Sequence, residues 1–170
     1  MRREKILLCI ILFFPVKVKS QDNSKISLCT GLGNYETFFV GMGWQTSLKN
    51  ILYLSVGDNF GVSKEHYFNI TFEDKLYILS STNAPFSLHG KLIYWQNEDK
   101  YFEWATLGIS PAVGYTHTLS DTWHLEINAG IVFNIHLKSE RKNYLHAGWP
   151  KQVDWNTTLK VIYNFKQRKK

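Results

Sequence analysis

Cysteine is scarce in this chain, long apolar runs and a basic body are missing, and each shortage narrows the choice. The 170 residues hold two cysteines, Cys9 and Cys29. Cys9 lies in a segment expected to be removed on export, so one thiol remains and no internal disulfide can brace the fold. Beyond the N-terminus no run approaches the ~18 apolar residues that a membrane helix needs. The formal charge is +6, but it is made by the two ends. Residues 1–20 hold five Lys/Arg and one Glu, which leaves 15 basic and 13 acidic residues and a net of +2. Lys166, Arg168, Lys169 and Lys170 supply four of those positives, so the body between is near −2. A nucleic-acid surface needs a basic face in the folded body, and nucleic acid is therefore not an expected partner. No phosphate-binding loop or metal-protease motif occurs, and no cofactor or metal is expected.

The first 20 residues read as a separate piece. Arg2, Arg3 and Lys5 form a positive start, Ile6 to Phe14 an apolar stretch that Pro15 ends, and Val18 and Ser20 suit cleavage before Gln21. That is the layout of a secretory signal peptide. Leu8 before Cys9 is not the small residue that a lipidation signal wants. The expected organisation is a signal peptide at 1–20, one β-barrel domain at 21–165 and a basic tail at 166–170.

What is abundant is alternation. The stretch Trp123–Lys138, WHLEINAGIVFNIHLK, places Trp123, Leu125, Ile127, Ala129, Ile131, Phe133, Ile135 and Leu137 on one side. The other side holds His124, Glu126, Asn128, Gly130, Val132, Asn134, His136 and Lys138, all but Val132 polar or Gly. Strict period-2 alternation argues a strand with one apolar and one polar face. At ~3.3 Å per residue it spans roughly 50 Å, far beyond an ordinary globular strand. Seven more segments alternate in the same way: 26–33, 36–46, 49–60, 66–80, 86–95, 101–117 and 153–165. Short links join most of them, Gln96–Lys100 reads as a loop, and Ser139–Gln152 as the longest one. Pro111 cannot donate to a ladder, so a bulge or a lost bond is expected there. Eight such segments predict an all-β, eight-stranded antiparallel up-and-down transmembrane β-barrel with both ends on one side.

Volume decides which face points inward. Trp44, Phe38, Phe72, Phe86, Tyr94, Trp123, Phe133, Trp155, Tyr163 and Phe165 would overfill the interior of an eight-stranded barrel, which is only wide enough for side chains or one small ligand. The glycines, serines, threonines and asparagines of the other face suit a tight polar lumen. The aromatic face carries almost no charge, and a Lys or Arg at a bilayer midplane costs a barrel about 2–4 kcal/mol. Trp44, Phe86, Tyr115, Trp123, Tyr163 and Phe165 all fall at strand ends on the side of the termini, as an interface girdle would. The alternative is a soluble secreted lipocalin-like barrel with the apolar set inside, holding a hydrophobic ligand.

With these residues in view, the chain from Lys25 to Phe165 resembles the small eight-stranded outer-membrane barrels of Gram-negative bacteria, most closely the porin-family-like proteins of the Bacteroidetes type. The carriers are the signal peptide, the Gly-aromatic alternation in LGISPAVGYTHTLSDTWHLEINAGIVFNI and the closing VIYNF. In that family the last strand ends in an aromatic that the barrel-assembly machinery reads. Phe165, with Tyr163 and Val161, matches, and the KQRKK that follows it departs from the pattern. The resemblance implies the bacterial outer membrane after export, with outer-membrane lipid, lipopolysaccharide and the assembly machinery as partners, and a monomer.

Inside the lumen, the expected polar network is Glu73, Lys91, Glu126, Asn128, His136, Asp154 and Lys160. A turn around Thr82 sets Glu73 against Lys91. A symmetric last loop would set His136 against Asp154 and Gly130 against Lys160. Gly114 opposite Glu126 would leave room for Lys160. Paired charges closing a narrow lumen are the leading reading, with a gated pore or proton path as the sharper one. A lipid A-modifying enzyme is the other alternative. Its candidates are His124, Glu126 and His136, which share one strand, and the turn group His117, Ser120, Asp121 and His124, which lacks a zinc-ligand spacing. No enzyme is expected. Arg141, Lys142, Tyr144 and Trp149 in the long loop are candidates for contacting lipopolysaccharide phosphates or a partner.

Overall fold

The computed structural model describes residues 26–47, 49–59, 66–78, 85–98, 102–141 and 152–165. The proposed signal peptide, the tail at 166–170, and Lys142, Tyr144 and Trp149 lie outside them. Eight strands run in chain order: β1 (Ile26–Gly33), β2 (Thr37–Ser47), β3 (Asn50–Asp58), β4 (His66–Tyr77), β5 (Phe86–Glu98), β6 (Phe102–Thr118), β7 (Trp123–Arg141) and β8 (Val153–Asn164). Each pairs antiparallel with the next, and β1 pairs antiparallel with β8, which closes the barrel. The fold is all-β, closed and up-and-down, as the alternation predicts.

Boundaries depart from expectation mainly at the end away from the termini. Gln96, Asn97 and Glu98 are not a loop but continue β5 against Ala105, Trp104 and Glu103. β7 likewise runs on through Ser139 and Glu140 to Arg141, paired with the start of β6. Backbone groups there find partners because β5, β6 and β7 all extend together. Pro111 causes no register shift. Its pairing with Gly90 on β5 holds, while Ser110 and Pro111 have no partners on β7, and the ladder resumes at Ala112–Gly130. A lost bond, not a bulge, is the outcome, because Pro111 turns its missing N–H toward β7. The bulge of this ladder lies between Ala105 and Thr106.

Burial is inside-out for a protein in water. Asn69, Ser87, Thr106, Glu126 and Asn156 are wholly buried, whereas Leu32, Val113 and Trp155 are 59%, 61% and 65% exposed. The polar face therefore lines the lumen and the apolar face is the outer wall. Interior space is rationed by glycine. At Gly43 a Cβ would meet the Tyr53 ring at 2.5–2.7 Å, so that aromatic fits inside only because its neighbour has no side chain. Phe86 packs edge-on against Tyr115, and Trp123 lies 4.9 Å from Tyr163 between ring centres. With Trp44 and Phe165 they form one aromatic ring near the termini. A second ring escaped the sequence reading. Tyr94 stands eight residues above Phe86, Phe133 ten above Trp123, and Trp155 eight above Tyr163, with Phe68 beside them on β4. At ~3.3 Å per residue and ~40° of tilt the rings lie about 20 Å apart.

Candidate functional site: an ionic lumen

Among the described residues, six charged side chains sit buried inside the barrel: Glu36, Glu73, Glu126, Lys75, Lys91 and Lys160. Three carboxylates meet three ammonium groups, so the charges of these six side chains balance. Unpaired, each would carry a desolvation penalty of several kcal/mol. Lys160 is central. Its Nζ donates to both oxygens of Glu73 at 2.8 and 3.0 Å and lies 3.0 Å from Glu126 Oε1. Glu126 also pairs with Lys75, whose Nζ donates to Thr116 Oγ1 at 2.9 Å. Both lysines rest against tyrosine faces, Lys160 at 4.4 Å from the Tyr53 ring centre and Lys75 at 4.5 Å from that of Tyr77. Such cation–π contact adds to pairing where water is excluded.

A second cluster lies above the first. Lys91 Nζ donates to Glu36 Oε1 at 2.6 Å and to Thr158 Oγ1 at 2.7 Å. Glu36 is not the strand residue that alternation suggests. It ends the Asn34–Glu36 turn, which folds inward over the lumen, so that Tyr35 and Glu36 are 8% and 2% exposed. Thr37 makes this bend with φ 53°, an uncommon conformation for a β-branched residue. The turn is held by Asn69 Nδ2, which donates to Glu36 O at 2.7 Å, and by the Tyr67 hydroxyl, which donates to Tyr35 O at 2.5 Å. Tyr35 packs edge-on against Trp95, and its hydroxyl lies 3.3 Å from Asp154 Oδ2. Burial raises the Tyr35 phenol above its ordinary pKa, which keeps it neutral beside that carboxylate. Ile93, Trp95 and Val132 complete an apolar cluster around the turn. Within the lumen an aromatic cluster thus lies above and an ionic cluster below.

The register decides which expected pairs form. Glu73 is opposite Lys91 as expected, but their side chains part, Lys91 rising to Glu36 and Glu73 crossing to Lys160. His136 does not face Asp154. It registers with Thr106 and lies 3.3 Å from its Oγ1, while Asp154 registers with Val132. Gly130 faces Asn156, not Lys160, and Gly114 faces Asn128, not Glu126. A symmetric loop was the wrong guide, because the observed register sets Glu126 opposite Lys160 inside and Trp123 opposite Tyr163 outside. The room beside Gly114 is taken by His89, which a Cβ there would strike. Asn128 is buried, with neither amide atom hydrogen-bonded among the described residues.

Lys75, His89 and Glu36 were missed as network members. Lys75 and His89 were legible, since both share the parity of Glu73 and Lys91; Glu36 was not, because a turn residue has no parity. His89 Nδ1 donates to Glu73 Oε1 at 2.7 Å, and its Nε2 lies 2.8 Å from Ser87 Oγ. The order Ser–His–Glu is that of a hydrolase relay, but Ser87 is 0% exposed, so no substrate carbonyl can approach. The carboxylates of Glu73 and Glu126 and the His89 ring offer ligand atoms within 4.8 Å of one another, and the Lys160 ammonium already lies between the two acids. The turn candidates serve the turn: Ser120 Oγ accepts from the Trp123 N–H at 3.1 Å. His124 is 2.9 Å from Asn164 and 3.3 Å from Thr118 through its two ring nitrogens. With Asp121 it lines a vestibule of about 100 Å³ at the end near the termini.

No family model matches the chain, and no curated protein matches it. Among solved structures it is similar to the N-terminal β-barrel domain of Pseudomonas aeruginosa OprF, with a TM-score of 0.51 and 12% identity, over 84% of this chain and 100% of that one. At that identity the likeness is one of fold: the neighbour is a β-barrel domain, and this chain has the same architecture.

Proposed function

We propose that this chain is an integral outer-membrane barrel with a structural or interaction role, which anchors its outer loops in the membrane and conducts little or nothing. The observation that carries the reading is the reversal of faces: a closed barrel with three carboxylates and three ammonium groups buried inside and a belt of aromatic and aliphatic side chains exposed outside. A lipocalin-like barrel in water would need the opposite arrangement. The solved neighbour of the same fold supports the location. The narrower Bacteroidetes-type likeness rests on the Gly-aromatic alternation and the terminal Phe165, and the tail at 166–170 would then lie in the periplasm. Arg141 and the basic-aromatic segment after it supply the candidate contacts for lipopolysaccharide. The Ser87–His89–Glu73 relay acts in this reading as a brace for the ionic plug, not as a catalyst.

Planar-bilayer recording of the purified protein tests this role. The wild type is expected to be silent, while the double variant Tyr35→Ala/Glu36→Ala, which shortens the cap and strips Lys91 of its carboxylate, gives discrete conductance steps. Steady wild-type conductance of small ions would overturn the sealed-lumen reading. Lipid A whose mass profile changes with the gene would revive the enzyme alternative.

A further inference from the structure

The outer wall carries a dent at the seam where β1 closes on β8. Ile26, Leu28 and Leu32 are the large outward side chains of β1, and Thr30 stands between Leu28 and Leu32 as the small one. Its hydroxyl donates to Phe39 O at 2.9 Å, which satisfies it without water. Thr30 registers with Val40 on β2 and Val161 on β8, and Leu28 with Tyr163. Around it lies an outward groove of about 470 Å³, walled by Leu28, Val40, Val161, Trp123 and Tyr163.

The groove runs from the lower aromatic ring toward the membrane centre. Trp123 and Tyr163 belong to that ring, Val161 lies two residues above Tyr163, and Thr30 two above Leu28. At ~3.3 Å per residue and ~40° of tilt, the groove stays within about 10 Å of the ring, in the half of the belt nearest the termini. The chain leaves β8 beneath it. The Phe165 N–H donates to Ile26 O at 3.2 Å, and Ile26 is two residues below Leu28. Lys166, Arg168, Lys169 and Lys170 follow in sequence. Five residues reach at most about 18 Å, so these cations can serve the interface on the side of the termini and not the opposite one.

Resting on the membrane reading above, we infer that this seam binds one anionic phospholipid from the leaflet on the side of the termini. One acyl chain lies in the groove over Thr30, the glycerol is level with Trp123 and Tyr163, and the phosphate meets the cations after Phe165 in the interface below. Headgroup and chain thus occupy the same leaflet. Trp and Tyr rings sit at headgroup level in membrane proteins, which fixes the depth. Charge complementarity selects the headgroup, because Lys and Arg clustered beside a membrane span attract anionic lipids over zwitterionic ones. A second copy is a poorer occupant. An isologous contact sets a patch against itself, so two copies meeting at this seam would bring two sets of these cations together.

The test is native mass spectrometry of the full chain reconstituted in vesicles of equal phosphatidylglycerol and phosphatidylethanolamine, released in mild detergent. The wild type is expected to retain phosphatidylglycerol roughly five-fold over phosphatidylethanolamine. The variant Lys166→Gln/Arg168→Gln/Lys169→Gln/Lys170→Gln should erase that preference. Thr30→Phe, which fills the groove, should lower retention of phosphatidylglycerol with the cations intact. Gly90→Leu, in a separate groove walled by Phe72 and Phe133, should change neither. Equal retention of the two lipids by the wild type, or an unchanged preference in the quadruple variant, would overturn the site. Undiminished retention in Thr30→Phe, or an equal loss in Gly90→Leu, would overturn it too, by showing that the groove does not hold the lipid. A lipid-independent dimer abolished by Thr30→Phe would assign the seam to a second copy and likewise overturn it. A heat-dependent gel shift, measured on every sample, separates the two failures: a shifted wild type without preference sinks this site alone, and an unshifted one sinks the membrane reading beneath it.

Discussion

Lys160 holds apart two carboxylates that would otherwise face each other in a dry interior. Lys160→Met should therefore cost about 3–5 kcal/mol, the loss seen when one partner of a buried pair is removed. The triple variant Lys160→Met/Glu73→Gln/Glu126→Gln should recover part of that loss, since it deletes the charges left behind. Urea unfolding in lipid vesicles, followed by tryptophan fluorescence, measures both, and a single variant as stable as the wild type would contradict the ionic plug. Ser87→Ala removes one hydrogen bond of the His89 relay. It should cost only ~0.5–1.5 kcal/mol, and the wild type should not react with a fluorophosphonate. Labelling at Ser87 would show access that its full burial denies.

At the level of single elements, the β1–β2 turn stores strain in Thr37, whose φ of 53° a β-branched side chain tolerates poorly. Thr37→Gly should stabilise the barrel by up to about 1 kcal/mol, offset in part by the lost contact of its hydroxyl with Glu36 O. A lower urea midpoint for Thr37→Gly would mean that the hydroxyl, not the backbone, holds the turn. Strands and their faces were legible because period-2 alternation is local: every residue from Trp123 to Leu137 lies on the face its parity assigns. The register between Glu73 and Lys91 was legible from a turn centred at Thr82, whereas across the β6–β7 turn the partner of Gly114 lies two residues further on, at Asn128. At the long β7–β8 connection nothing local sets the offset, and the pairings Glu126–Lys160 and Trp123–Tyr163 decide it. The inward fold of Asn34–Glu36 was illegible for a different reason. It depends on Tyr67, Asn69 and Trp95, which are distant in sequence. Asn134 faces the lumen and its Nδ2 lies 3.3 Å from the Tyr35 hydroxyl, so Asn134→Arg should disrupt the cap.

For the whole molecule, the exposed apolar belt is the property that everything else depends on. Ile131 is 49% exposed on that belt, and Ile131→Arg should hinder insertion by about 2–4 kcal/mol if lipid surrounds it. Folding yield into vesicles reads this out, and an unaffected yield would mean that Ile131 faces water. The most direct test of a membrane-embedded barrel is heat modifiability of the native protein in purified outer membranes, run on a gel with and without boiling. A detergent-requiring species whose mobility shifts only after boiling is the expected result. A protein released by salt or carbonate washes, with the same mobility before and after boiling, would contradict it.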